Sequence, residues 1–169
     1  WENRKQRQMK IKNELENIAK EALAASRVLA NLPSSEKNSL LKDMADAILH
    51  GKAEILKANK KDIASCRGKS KAFIDRLTLD EARVRQMAGG LLEVAKLNDP
   101  VGEVIRSWKA AGGLLIKKVR SAIGVIAIIY ESRPNVTADC AGLCVKSGNS
   151  VILRGRSDSL NSNQIGRAH

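Results

Sequence analysis

Residues 127–155, AIIYESRPNVTADCAGLCVKSGNSVILRG, constrain the fold more than any other part of the chain. Residues 124–130 form a continuous apolar run rich in β-branched side chains, which is typical of a strand buried on both faces of a parallel sheet. A helical pattern follows, Gly148 suits the left-handed end of that helix, and residues 150–153 form a second apolar run. The stretch therefore predicts a strand–helix–strand (βαβ) unit.

Polar residues interrupt the sequence where each of these two strands should end. The interruptions are residues 131–135 (ESRPN) and 154–158 (RGRSD). In open parallel sheets, ligands bind beyond the carboxyl ends of the strands, where N–H groups of the next helix point at anions. Arg133 and Arg154 suit phosphate or carboxylate, although such arginines are also common surface residues. The GxGxxG and GxxxxGK[ST] fingerprints are both missing, so the residues favour a phosphorylated ligand or nucleotide without naming it.

Apolar residues recur at helical spacing from residue 11 to residue 97. Pro33 interrupts the pattern, and a third helix is expected over residues 53–64. Thr78 and Glu81 have the spacing of a capping box, in which a hydroxyl and a carboxylate each satisfy a free N–H at the start of a helix. These helices are expected to pack and not to form a site.

The pattern changes from helix to strand near residue 100. Pro100 marks a turn, and residues 113–121 are strand-like. We therefore predict an α/β fold with an N-terminal helical region over residues 9–98 and the start of a parallel sheet over residues 99–164.

Both ends of the sequence look foreign to this fold. Residues 1–8, WENRKQRQ, show no apolar periodicity and precede Met9, which predicts a translated leader. Residues 165–169, IGRAH, match one reading frame of a common sequencing-library adapter, which predicts an artefact.

The three cysteines are expected to pack and not to react. Cys140 and Cys144 lie on one helical face with Val136 and Leu143, and Cys66 stands alone. An odd number of cysteines without a signal peptide favours reduced thiols and a cytoplasmic protein. With no CxxC pair, no HExxH motif and two histidines, no metal site is expected.

The formal net charge of +12 allows an alternative function, nucleic-acid binding. The basic residues, however, alternate with acidic ones, and aromatic residues that stack on bases make up only 2% of the chain. A solvated basic surface is therefore favoured over a nucleic-acid site, and no apolar run long enough for a membrane span is present.

Several blocks, in order and at matching spacing, resemble the gamma-glutamyl phosphate reductase (glutamate-5-semialdehyde dehydrogenase) family of the aldehyde dehydrogenase superfamily. GVIAIIYESRPNVT and KSGNSVILRG are similar to two signatures of that family, and the helical opening is similar in LANLPSSEKNSLLKDMADAI, ILKANKKDI and DRLTLDEAR. The resemblance covers residues 9–164, the N-terminal part of such an enzyme, and the alternative is another dehydrogenase of the same superfamily.

The resemblance implies an enzyme of proline biosynthesis that reduces gamma-glutamyl phosphate with NADPH. It implies N-terminal helices beside part of a Rossmann-like sheet, with residues 113–121 in a strand through which the enzyme forms a homo-oligomer. The catalytic domain and its nucleophilic cysteine are expected beyond residue 169, so this chain alone is expected to be inactive.

The resemblance also implies which residues contact the cofactor. The expected contacts are Ile129, Tyr130, Glu131, Arg154, Gly155 and Ser157. Arg154 takes the place of a lysine that holds the adenosine ribose. Ser157 stands where NAD-specific members carry a glutamate, and a neutral residue leaves room for a 2′-phosphate, which favours NADP.

Three further residues are expected at the substrate by the same resemblance. Ser132 takes the place of the oxyanion-binding asparagine of the superfamily, and Arg133 and Asn135 follow it. Arg156 departs from the family pattern, which has glycine there, and either adds a phosphate ligand or crowds the cofactor loop.

Overall fold

The computed structural model describes residues 2–165, and the side chains of residues 4–164. The N-terminal part is helical: α1 (Glu2–Leu29), α2 (Ser34–His50), α3 (Lys52–Ser65), α4 (Lys71–Leu77) and α5 (Glu81–Lys96). The remainder contains β1 (Val104–Lys109), β2 (Leu115–Val119), β3 (Val125–Ile129), α6 (Pro134–Lys146), β4 (Ser150–Arg154), a 3₁₀ turn (Ser157–Ser159) and α7 (Leu160–Ile165). The predicted order of helices followed by a βαβ unit is confirmed. The helix α1 begins nine residues before the apolar periodicity does, and residues 166–169 of the expected artefact lie outside the described part.

The core lies between the helices α2, α5 and α6. One buried cluster consists of Leu41, Ala45, Ala88, Leu91 and Ala95. A Cβ atom at Gly142 would lie 2.5 Å from Leu91 Cδ2, so the missing side chain lets α6 approach α5 closely. This packing fixes the position of α6, which follows the first polar interruption.

The junction between α4 and α5 differs from the prediction of a capping box at Thr78. Asp80 is the residue that caps α5, because its Oδ1 accepts a hydrogen bond from the Arg83 N–H (2.7 Å). Thr78 instead ends α4, and its hydroxyl donates to the Ile74 carbonyl (2.7 Å). The capping-box prediction is wrong because α5 begins at Glu81, whose carboxylate pairs with Lys52 (3.0 Å).

An antiparallel hairpin follows the helices. The predicted strand at residues 113–121 is present as β2, and it pairs with β1 in a register that sets Trp108 opposite Ile116. The strand β1 was not predicted, because its sequence, VIRSWK, does not alternate regularly between apolar and polar residues. Gly112 and Gly113 have φ angles of +87° and +85°, which only glycine adopts readily, and they close the hairpin.

The predicted βαβ unit is confirmed, with β3 and β4 parallel and joined by α6. Gly148 has φ +70° directly after the helix, as expected of a left-handed helix end. The prediction that β3 is buried on both faces is wrong: Ala127 is exposed and Ile129 is 84% exposed. Within residues 2–165 the parallel sheet has only these two strands, so the β3 edge has no neighbour to cover it.

The helix α6 buries the expected stripe only in part. Cys144 is buried as expected, but Val136 and Cys140 are half-buried and Leu143 is 53% exposed, and the buried positions also include Ala138 and Gly142. These small residues face α5 because they allow close packing, which the apolar periodicity alone did not indicate. No helix among residues 2–165 combines the length and apolarity that a bilayer span requires.

Candidate functional site

The carboxyl ends of β3 and β4 meet in register. Ile129 lies opposite Arg154, and the Tyr130 N–H donates to the Arg154 carbonyl (3.1 Å). The chain leaves the sheet at both points, so residues 131–135 and 155–158 lie side by side. The geometry therefore brings the two polar interruptions of the sequence together.

A cleft of about 680 Å³ opens beside these strand ends, and we call it the large cleft. Its wall includes four of the predicted cofactor residues, Tyr130, Arg154, Gly155 and Ser157. Ile129 and Glu131 do not line it. The other lining residues come from α1, α6, β4 and the segment up to Gln164, so the large cleft is formed by several elements of the chain.

Hydrogen bonds order one wall of the large cleft. The Tyr130 hydroxyl lies 2.6 Å from Thr137 Oγ1, which donates to Asn163 Oδ1 (3.2 Å). A Cβ atom at Gly155 would lie 3.2 Å from the Tyr130 hydroxyl oxygen and would collide with the Asn163 amide. Glycine at position 155 therefore lets the chain pass close to Tyr130 without a shift of the Tyr130 and Asn163 side chains.

Ser132 does not face the large cleft. It is 4% exposed, and its hydroxyl donates to Asp158 Oδ2 (3.4 Å). The same oxygen lies 3.4 Å from Arg156 Nε. Ser132 and Asp158 thus connect the two segments that leave the sheet, and Arg156 is held beside the large cleft by this carboxylate. The role of Ser132 at an oxyanion stays a prediction.

Arg133 and Asn135 line a second cleft of about 380 Å³, between α6 and the α4–α5 junction, which we call the polar cleft. Asn135 donates to Asp139 Oδ2 (3.3 Å) on the next turn of α6. Burial raises the pKa of the Asp139 carboxyl, and the hydrogen bond from Asn135 only partly opposes this. Two residues of the first polar interruption thus line the polar cleft, whereas Tyr130, directly before that interruption, lines the large cleft.

A buried carboxylate that the sequence analysis missed anchors the far wall of the large cleft. Asp62 on α3 is 2% exposed and accepts from the Asn161 N–H (3.1 Å) and the Ser162 N–H (2.8 Å) at the start of α7. It also accepts from the Ser162 hydroxyl (2.6 Å). No local signal marks Asp62, because its partners lie about a hundred positions further along the chain.

The cysteine thiols have the properties of packed side chains. Burial raises the pKa of Cys66, Cys140 and Cys144, and the charge of Asp139 adds to the effect at Cys140. A raised pKa reduces the fraction of reactive thiolate at neutral pH. Among residues 2–165, no group of three His, Cys, Asp or Glu side chains gathers in a way that would hold a metal ion.

The fold and the clefts define the class of protein first. A parallel βαβ unit with a cleft at the carboxyl ends of its strands is the arrangement in which open α/β domains bind ligands. The chain superposes on a probable aldehyde dehydrogenase from Listeria monocytogenes with a TM-score of 0.64, at 15% identity over 89% of this chain and 31% of that chain. This similarity shows the fold.

Sequence comparison defines the particular family. The chain is 57% identical over 152 residues to a gamma-glutamyl phosphate reductase from Thermoanaerobacter sp., covering 89% of this chain and 37% of that protein. A protein of the same name from Geobacter metallireducens is 50% identical over 157 residues, covering 92% of this chain and 38% of that protein. The crystal structure of gamma-glutamyl phosphate reductase from Thermotoga maritima superposes with a TM-score of 0.88, at 45% identity over 90% of this chain and 37% of that chain.

The chain matches the N-terminal part of proteins of the gamma-glutamyl phosphate reductase family. It spans about 37% of the length of the curated relatives quoted above. No family model matches the chain.

Proposed function

We propose that the complete protein reduces gamma-glutamyl phosphate to glutamate 5-semialdehyde and phosphate with NADPH, in proline biosynthesis. The observation that carries the proposal is the match to reductases of that name over 89% of this chain. The large cleft at the carboxyl ends of β3 and β4 supports it, since this is where nucleotides bind in related sheets.

The large cleft is the proposed site of the nicotinamide cofactor. Arg154 is exposed at the end of β4, where its guanidinium can bind the ribose or a phosphate. Ser157 is exposed on the same wall and carries no negative charge, so a 2′-phosphate meets no repulsion from it. Arg156 lies nearby with its charge partly balanced by Asp158. This balance of charges favours NADPH over NADH.

The polar cleft is the proposed site of the substrate. Arg133 and Asn135 line it, whereas Tyr130 lines the large cleft on the other side of the same segment. Because Tyr130 and Arg133 are only three positions apart, the two clefts reach neighbouring parts of one segment, which would bring their ligands near each other. A hydride transfer needs this kind of proximity between cofactor and substrate.

The nucleophile is proposed to lie outside this chain. A reductase of acyl phosphates needs a thiolate that forms a thioester, which accepts hydride after phosphate has left. Because burial raises the pKa of all three thiols here, none of them suits that role. We therefore expect the chain alone to be inactive.

The hairpin β1–β2 is the proposed surface of homo-oligomerisation. Val104, Ile105 and Trp108 on β1 are between 40% and 49% exposed. Exposed apolar side chains on an edge strand favour pairing with another chain.

The fold argues against the nucleic-acid alternative, and the cytoplasmic location remains a prediction from the sequence.

The test of the proposed function measures the reverse reaction. The complete protein is incubated with glutamate 5-semialdehyde and NADP, and NADPH is followed by absorbance with and without inorganic phosphate. Phosphate-dependent NADPH formation is expected. Oxidation of simple aldehydes at an equal rate without phosphate would identify a different dehydrogenase.

This chain alone, and a variant with all three cysteines changed to serine, serve as controls. Neither is expected to form NADPH. Activity of the chain that survives the triple substitution would overturn the proposed location of the nucleophile.

A further inference from the structure

The polar cleft has two walls, and each of them carries both basic and acidic side chains. One wall comes from the α4–α5 junction and includes Asp75, Arg76 and Arg83, and the other comes from α6 and includes Arg133 and Asp139. Its volume of about 380 Å³ is in the range of sites that hold small metabolites. A ligand would bind most strongly to the charged groups that are not already paired within the protein.

The charges of the α4–α5 wall already interact with the protein. Arg83 donates to the Asp75 carboxylate (2.8 Å) and to the Thr78 carbonyl (2.7 Å). The Arg76 Nε donates to the Ala72 carbonyl (3.2 Å). The Arg83 contacts tie the end of α4 to the start of α5, so Arg83 and Asp75 serve the packing of the junction. The Arg76 contact lies within α4, and no carboxylate among side chains 4–164 pairs with its guanidinium.

The charges of the α6 wall are different. Asp139 accepts a hydrogen bond only from the neutral Asn135 amide, and no ion pair with a described cation forms there. Arg133 is exposed, and within side chains 4–164 no carboxylate lies within ion-pair distance of its guanidinium. One wall of one cleft thus presents a positive and a negative group that are not paired.

Asp139 is exposed on the wall of the polar cleft, but the protein atoms around its carboxyl remove part of its water, and this desolvation raises its pKa. Removal of a carboxylate from water is unfavourable unless a cation or hydrogen-bond donors compensate, and the raised pKa of Asp139 reflects that cost. A ligand ammonium group would restore the compensation. The Arg133 guanidinium presents a planar fork of donors that fits a ligand carboxylate.

We propose that the polar cleft binds the α-amino acid end of the substrate, with Asp139 accepting from the α-ammonium group and Arg133 donating to the α-carboxylate. The proposal rests on the proposed function for the identity of the substrate. A phosphate dianion fits this wall less well, because Asp139 repels it. The acyl phosphate end is then directed away from α6, towards the segment shared with the large cleft.

The experiment compares two probes that differ by the amino group alone. Binding of L-glutamate and of glutarate to the complete protein is measured by isothermal titration calorimetry. Wild type is expected to bind L-glutamate at least tenfold more tightly than glutarate. Asp139→Asn is expected to remove most of that preference, because the charged hydrogen bond to the ammonium is lost. Arg133→Gln is expected to weaken both probes, since both carry the carboxylate.

Asp43→Asn is the matched control, since it makes the same chemical change at an exposed position of α2 outside the cleft. It should keep the wild-type preference. A wild type that does not distinguish the probes, or an Asp139→Asn variant with the preference intact, would overturn the proposal. An equal loss for both probes in Asp139→Asn would also overturn it, since it would show a structural role.

The readout does not depend on catalysis. If the phosphate-dependent assay fails while binding shows the Asp139-dependent preference, the proposed reaction is wrong and the amino acid site stands. If the assay succeeds and binding shows no preference for L-glutamate, the proposed reaction stands and the proposed amino acid site is wrong.

Discussion

Ser132 Oγ lies 3.4 Å from Asp158 Oδ2 and so joins the segment after β3 to the segment after β4. Ser132 is buried, while Asp158 also approaches Arg156 at the rim of the large cleft. This contact connects the wall of the proposed cofactor site to the turn that leads into the polar cleft. The buried Ser132 thus has a structural role, although the family resemblance suggests an oxyanion donor at this position.

Ser132→Ala is expected to separate these two roles. Loss of the bond to Asp158 should lower the free energy of unfolding by about 0.5–1 kcal/mol. If the hydroxyl has only this role, kcat of the complete protein should change less than about threefold, whereas loss of an oxyanion donor costs about a hundredfold or more. Urea unfolding and steady-state kinetics measure the two effects, and Ser121→Ala in an exposed loop is the control.

Gly155→Ala is expected to damage the large cleft. The new Cβ would press on the Tyr130 ring, 3.2 Å away, and on the Asn163 amide, which should cost about 1–3 kcal/mol of stability and raise KM for NADPH. Gly89→Ala on α5 is the matched control, because nothing lies within 4 Å of its added Cβ. That variant should gain about 0.5–1 kcal/mol from helix propensity. Thermal unfolding with equal losses in both variants would contradict the packing argument.

Ser157→Glu is expected to shift cofactor preference. A carboxylate near the 2′-phosphate should cost NADPH about 1–3 kcal/mol, which is about tenfold to a hundredfold in the ratio of kcat/KM for NADPH and NADH. The same pair should be measured with Arg156→Gly, because Arg156 lies close enough to neutralise part of the new charge. Ser121→Glu outside the cleft should leave the ratio unchanged. A ratio within about twofold of wild type in both Ser157→Glu backgrounds would show that this wall does not face the 2′-phosphate.

Asp99 and Lys37 are expected to make stability sensitive to acid. Burial alone would raise the pKa of Asp99, but hydrogen bonds from Lys37 (2.9 Å) and the Val101 N–H (2.9 Å), with the charge of Lys146, leave that pKa below its ordinary value. The stabilisation is therefore present above the unfolded-state value of about 3.9 and is lost as the pH falls through the lower folded-state pKa.

Asp99→Asn tests this sign. It leaves the buried Lys37 without its counter-ion and should cost about 3 kcal/mol near neutral pH. The difference from wild type should shrink in acid, as followed by urea unfolding from about pH 7 to about pH 3. Asp43→Asn at the surface of α2 should show no such pH-dependent difference. A constant deficit for Asp99→Asn at every pH would contradict the ion-pair account.

The exposure of β3 shows that a local sequence pattern can predict a strand without predicting whether that strand is buried. The run of β-branched residues in β3 predicts a strand, because these side chains favour extended backbone. Whether Ile129 is covered depends on a neighbouring strand, and the described chain supplies that neighbour on one side only. The same limit explains why Leu143 is exposed on α6 while Cys144 is buried, since the buried face with Ala138 and Gly142 is set by close contact with α5.

The sequence by itself determined the order of elements apart from β1, the βαβ unit and the polar residues at its strand ends, because helical and strand periodicities and turn residues act over a few neighbouring positions. The family could also be recognised from short blocks. Only the tertiary structure decided that Ser132 is bonded to Asp158, that Asp62 anchors α7 and that Arg133 and Asp139 share the polar cleft. Asp62 and α7 lie far apart along the chain, so no local pattern predicts their contact. The side of the segment that Ser132 and Arg133 each face is set by packing, which no local pattern predicts.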